Sequence, residues 1–167
     1  SDELIKKRIN VQQDSQGPLV GFYQGFTTIL SQTNVDWILL LACDLPNLNP
    51  AIIQAWSTTL SELPPSTIAA LPPHVPIQTL KSSNITAQGI IHNPTFKRYK
   101  SPKQWHPLCG FYHRRCLHSL EPFIATGGRS FQRWLANEEV RSLPIPNPNL
   151  LFNCNTPEDW KRLGLDP

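Results

Sequence analysis

The sequence predicts an α/β domain built on a mostly parallel sheet, and three observations carry that expectation. From residue 8 to residue 71, short apolar runs alternate with segments of helical periodicity, in the order strand, helix, strand, helix, strand. One of these runs, WILLLAC at 37–43, is apolar throughout, the habit of a strand covered on both faces. The 167 residues are 40% apolar and 16% charged, a globular composition in a length that suits one domain with a real core.

RINVQQD (8–14) reads as a short strand running out into a polar loop. Pro18 suits the first turn of a helix, where its missing N–H costs nothing, and Leu19, Phe22, Phe26, Ile29 and Leu30 follow at helical spacing. After WILLLAC, Asn49 caps and Pro50 opens a second helix whose inner face is Ile52, Ile53, Trp56 and Leu60. TIAAL (67–71) is a further strand.

Residues 72–104 show neither period and are expected to be an insertion or flap within a single domain spanning 1–167. WHPLCGFY (105–112) resumes as a strand, and RRCLHSLEPFIA (114–125) is helical with Leu117, Leu120 and Ile124 inward. Two glycines turn the chain into a helix starting at Ser130, and VRSLPIP (140–146) and LLFNCN (150–155) read as strands. TPEDWKRLG closes with helix-start grammar: Thr156 as cap, Pro157 first, Glu158 and Asp159 in the first turn.

The net charge of +3 is too small to point to nucleic acid. No apolar stretch reaches membrane-spanning length. Four cysteines without a C-x-x-C pair argue against a zinc site and read as reduced thiols of a cytoplasmic protein, with Cys43 and Cys154 packed as small hydrophobes. The chain opens SDELIKKRINV and contains no methionine, so further residues are expected upstream of Ser1.

Asp44 is the leading chemical candidate. It ends a buried run, and Pro46 turns the chain away two residues later. Ligands of open α/β sheets bind at the carboxyl ends of parallel strands, where such an acid can hold a hard cation such as Mg²⁺. The bland alternative is an acid that caps a turn. Asp14 with QGPLVG (16–21) can form a nucleotide contact at a helix N-terminus, or simply a loop with a tight glycine. Asn153 and Asn155 flank Cys154, so on a strand both amides would share a face able to hydrogen-bond a heterocycle or phosphate; otherwise Asn155 shapes the turn. Arg129 precedes a helix start and suits a phosphate, or is a solvated surface arginine. His106 is a ligand contact or a structural histidine. KRYK (97–100) can cover an anion or stay solvated.

Taken in order, QGPLVG, LLLACDLPNL, WHPLCGFYHRR, GGRSFQRWL and LFNCNTPED resemble the molybdenum cofactor guanylyltransferase family. The CDLP and N-x-N-TPED elements carry most of that resemblance. It implies a three-layer, Rossmann-like nucleotidyltransferase fold and a reaction joining GTP to molybdopterin, with release of pyrophosphate. It also implies Mg²⁺ as cofactor, with molybdenum cofactor insertion proteins as further partners. Asp44 matches the family's Mg²⁺-binding aspartate, Asp14 an aspartate on the guanine nucleotide, and Asn153 and Asn155 the asparagines facing molybdopterin.

The site expected on these grounds has three parts. Asp44 is the catalytic and metal-holding residue. Asp14, Gly17, Pro18, Leu19 and Asp44 meet the nucleotide. Asn153, Asn155, Arg129 and His106 meet molybdopterin. The sequence departs from the family in lacking its N-terminal strand and glycine-rich loop, of the form LAGG-x-S-x-RMG-x-DK, and in the length of 72–104. Two alternatives stand beside the leading one: a related nucleotidyltransferase using CTP or another cofactor precursor, and a truncated, non-catalytic molybdopterin-binding relative.

Overall fold

The structure, a computed structural model, describes residues 17–74 and 104–162. RINVQQD, Asp14 and KRYK lie outside the described residues. Helix α1 (Pro18–Gln32) opens on Pro18 behind Gly17, whose φ of 83° lies in the left-handed region that glycine tolerates. Strand β1 (Trp37–Leu41) follows. Helix α2 (Pro50–Thr58) starts as its sequence dictates, with the Asn49 side chain accepting from the Ile52 N–H. After a 3-10 turn (Leu60–Glu62) come β2 (Ala69–Leu71) and β3 (Cys109–His113). A second 3-10 turn (Arg114–Cys116) leads into α3 (Leu117–Ala125), then α4 (Phe131–Leu135) with Ser130 as its cap. Strand β4 (Val140–Ser142), a 3-10 helix (Pro148–Leu151) and α5 (Pro157–Arg162) complete the order.

The sheet runs β1-β3-β2-β4. β3 pairs antiparallel with both β1 and β2, whereas β2 pairs parallel with β4. Three of the four strands therefore share one direction and β3 opposes them. This corrects the expectation for WILLLAC of a strand covered on both faces in a parallel setting: among the described residues β1 pairs only with antiparallel β3, and it is half-buried with Leu41 exposed. The reason lies at residues 72–106. The chain leaves β2 and returns beside its own exit, with the His74 N–H on the Gln104 carbonyl at 2.9 Å and Pro73 bridging Trp105. A strand that starts where its neighbour stopped must run against it.

Alternate strand residues feed two cores, one on each face, as pleating requires. Ala69, Leu71 and Tyr112 join Leu19, Phe22 and Phe26 of α1, Leu120 of α3, and Phe131, Trp134 and Leu135 of α4. Ala70, Cys109 and Phe111 join Trp56 of α2 with Leu143, Leu150 and Leu151. Helices thus cover both faces, which is the three-layer arrangement. Tyr112 is fully buried, and its hydroxyl donates to the Pro107 carbonyl at 2.7 Å.

Several sequence expectations are corrected. LLFNCN is not a strand: Asn147 caps and Pro148 opens a 3-10 helix through Leu151, and 152–155 is irregular. WHPLCGFY becomes strand only at Cys109, because 105–108 is spent on the return beside β2. Of the expected insertion over 72–104, residues 75–103 lie outside the described residues, and Pro72 at its start is fully buried. Cys43 lies beyond the end of β1 and is exposed, whereas Cys154 is buried as expected.

Candidate active site at the carboxyl end of the sheet

β1 ends at Leu41, and the Ala42 N–H still reaches the Leu108 carbonyl at 2.7 Å. The post-β1 loop is then drawn toward the chain's C-terminal segment. The Cys154 N–H donates to the Asp44 backbone carbonyl at 2.9 Å, and the Asn47 side chain donates to the Asn149 carbonyl at 2.8 Å. Leu45 and Leu48 pack with Leu150 and Leu151 beneath these bonds. The sequence builds this junction by setting apolar residues between polar ones in both segments.

Asp44 sits at the junction with unequal oxygens. Its Oδ2 accepts from Asn153 Nδ2 at 2.9 Å, while its Oδ1 is buried without a hydrogen-bond partner. A buried, unsatisfied carboxylate oxygen is costly, and a cation or an ordered water relieves the cost. Among the described residues no group of three or more His, Cys, Asp or Glu side chains is arranged to hold a metal. One hard oxygen at a strand end, without a protein cage, fits Mg²⁺, which keeps waters and shares its shell with phosphates.

The other expected residues divide. Gly17 and Pro18 lie at the N-terminus of α1, and Pro18 with Leu40 and Leu108 helps line an apolar groove of about 250 Å³ along β1. Leu19 is fully buried in the core, so its side chain meets no ligand. His106 lies at the same sheet end as Asp44, one strand over, its N–H on the Pro72 carbonyl at 3.0 Å. Arg129 is not brought there. Its guanidinium donates to the carbonyls of Ile124 and Gly128, so it closes the end of α3 on the face opposite Leu150 and Leu151.

Asn153 and Asn155 do not share a strand face, because no strand forms there. Asn153 faces Asp44. Asn155 gives its backbone N–H to Asp159 Oδ2 at 3.2 Å, which also takes the Thr156 N–H, and its own side chain is exposed. The Thr156 hydroxyl accepts in turn from the Asp159 N–H, completing the expected capping box. Burial, then the Asp159 carboxylate, push the Cys154 thiol up.

Sequence reasoning missed His74 and Gln132. The His74 ring stacks on His106 with centroids 5.1 Å apart, and its Nδ1 is buried without a hydrogen-bond partner. Gln132 holds the return segment, accepting from the Gln104 and Trp105 N–H groups and donating to the Trp105 carbonyl at 2.7 Å. A strand followed by Pro-Pro-His, much as WILLLAC is followed by Asp and Pro, was the available signal for His74.

Comparison with known proteins places this arrangement. The family described as the MobA-like NTP transferase domain matches residues 4–141. A "probable molybdenum cofactor guanylyltransferase" of Nostoc sp. is 45% identical over 145 residues, covering 87% of this chain and 55% of the relative. One of the same name from Synechococcus elongatus is 37% identical over 150 residues, covering 90% of this chain and 61% of the relative. The chain therefore spans between half and two thirds of the length of these relatives. The crystal structure of molybdopterin-guanine dinucleotide biosynthesis protein A from Archaeoglobus fulgidus shares the fold, with a TM-score of 0.56 at 18% identity over 87% of this chain and 60% of that one. A mixed sheet covered on both faces, an acid beyond the end of β1 and a match across most of the chain have one reading: this protein belongs to the MobA-like NTP transferase domain family.

Proposed function

We propose that the protein is a molybdenum cofactor guanylyltransferase, transferring GMP from GTP to molybdopterin. A terminal phosphate oxygen of molybdopterin attacks the α-phosphorus of GTP. The new P–O bond forms as the bond to the bridging oxygen breaks, and pyrophosphate leaves. Asp44 would hold Mg²⁺ through Oδ1, and the ion, when bound, supplies charge neutralisation on the triphosphate. The chain's own part is placement. Asn153 fixes Asp44, Gly17 and Pro18 present the N-terminal end of α1 to the nucleotide with Asp14 nearby in sequence, and Asn155 and His106 face the acceptor. A cytoplasmic location accords with a soluble substrate pair.

The observation that carries this reading is the buried, unpartnered Oδ1 of Asp44 at the carboxyl end of β1. Relatives with the matching name support the choice of GTP and molybdopterin. Asp44→Asn keeps shape and the bond from Asn153 while removing the charge. We expect formation of the guanine dinucleotide to fall by at least about 10²-fold, the scale of losing one aligned electrostatic contact, with the thermal midpoint little changed. A variant that turns over like the parent would remove Asp44 from the chemistry.

A further inference from the structure

We infer that Asn153 is a positioning residue for Asp44, and that its amide sets which carboxylate oxygen is offered to the metal. The inference rests on the reading of Asp44 just given. A carboxylate has two equivalent oxygens and turns about its last torsion with little resistance. Here the equivalence is broken. Oδ2 is taken by the Asn153 amide at 2.9 Å, and Oδ1 is left buried and unpartnered. Ionised carboxylates only accept hydrogen bonds, so the amide must turn its nitrogen toward Asp44.

Two features suit Asn153 to this task. The adjacent residue is anchored independently, since the Cys154 N–H holds the Asp44 backbone carbonyl at 2.9 Å. Residues 153 and 154 thus hold both the main chain and the side chain of Asp44. The amide is also neutral. A lysine or arginine in its place would cancel the charge that a cation needs, whereas an amide orients the carboxylate and leaves that charge intact. Outer partners of this kind orient metal-binding carboxylates, and their loss typically lowers metal affinity about 10–100-fold.

The competing explanation is that Asn153 merely fastens two loops together. Asn47 provides the comparison, because it fastens the same two segments through the Asn149 carbonyl and does not touch the carboxylate. The test measures the affinity of the full protein for GTP by calorimetry, once with Mg²⁺ and once with EDTA, in the parent and in Asp44→Asn, Asn153→Ala and Asn47→Ala. The ratio of the two affinities isolates the metal's contribution. We expect the ratio to collapse toward one in Asp44→Asn. In Asn153→Ala it should fall about tenfold with the EDTA affinity unchanged, and in Asn47→Ala it should keep the parent value.

Loss of the ratio in Asp44→Asn with a parental ratio in Asn153→Ala would overturn the positioning role while leaving the metal reading in place. Equal losses in Asn153→Ala and Asn47→Ala, or a fall in both affinities alike, would reduce Asn153 to a fastener. A parental ratio in Asp44→Asn would overturn the metal reading and the positioning role with it.

Discussion

The side chains around Asp44 work by being unlike one another. One carboxylate oxygen is satisfied and one is not. Two neighbouring cysteines, Cys43 and Cys154, are respectively exposed and buried. The thiols follow suit across the chain: burial pushes Cys109 up to about 11, and Cys116 is pushed up further by burial and the Glu138 carboxylate. Since only the thiolate reacts readily, iodoacetamide at about pH 8 should label Cys43 alone in the native protein. All four cysteines should be labelled after denaturation, and peptide mass mapping checks both. Native labelling of Cys109 or Cys116 would mean that the core opens around β3. At this scale Asp44 was legible, because an acid ending an apolar run stands out against its neighbours. Asn153 stands out as one of two amides flanking a cysteine, but not by its partner, which lies 109 residues away. Nothing in the local pattern of either segment announces that pairing.

Among the elements, β3 is the most constrained. Gly110 has a φ of 149°, and a Cβ there would lie 2.5 Å from the Ala70 carbonyl oxygen and 2.8 Å from a Leu71 methyl carbon. Gly110→Ala must push β3 off β2, because the Ala70 carbonyl oxygen is backbone and cannot swing aside. We expect a loss of about 2 kcal/mol or more, from strain at a special backbone position together with core overpacking. Denaturant midpoints measure it, and a neutral substitution would show that β2 and β3 are not so closely paired. The direction of β3 could not be read from CGFYH, since an apolar run buried on both faces looks alike in either orientation. The misreading of LLFNCN is different in kind. Its helix-start signal was present as Asn147-Pro148, the same cap-and-proline pairing that correctly placed α2 at Asn49-Pro50. The element it starts is a single 3-10 turn, too short to show a helical period in its apolar residues.

On the scale of the whole molecule, the sheet separates two cores, and the candidate site belongs to the one built around Trp56. This side chain is 1% exposed, packs with Phe111, Leu143, Leu150 and Leu151, and donates from Nε1 to the Pro144 carbonyl at 2.9 Å. It therefore ties α2 to the chain between β4 and the 3-10 helix that leads to Asn153. The opposite core, with Phe22, Tyr112 and Trp134, holds α1 and the segment before β3 instead, the latter through the Tyr112 hydroxyl on the Pro107 carbonyl. Trp56→Phe removes the hydrogen bond and part of the ring while keeping an aromatic in place. The expected cost is about 1–2 kcal/mol, from one lost bond to a buried carbonyl and a small cavity. The loss should also be uneven. Proteins open locally in cooperative units, and the segment most weakened opens most often. Amide exchange at Cys154, whose N–H is held by the Asp44 carbonyl, should accelerate more than exchange at Tyr112 in β3. Uniform acceleration at both amides would mean that the two cores unfold as one unit and that Trp56 has no special hold on the site.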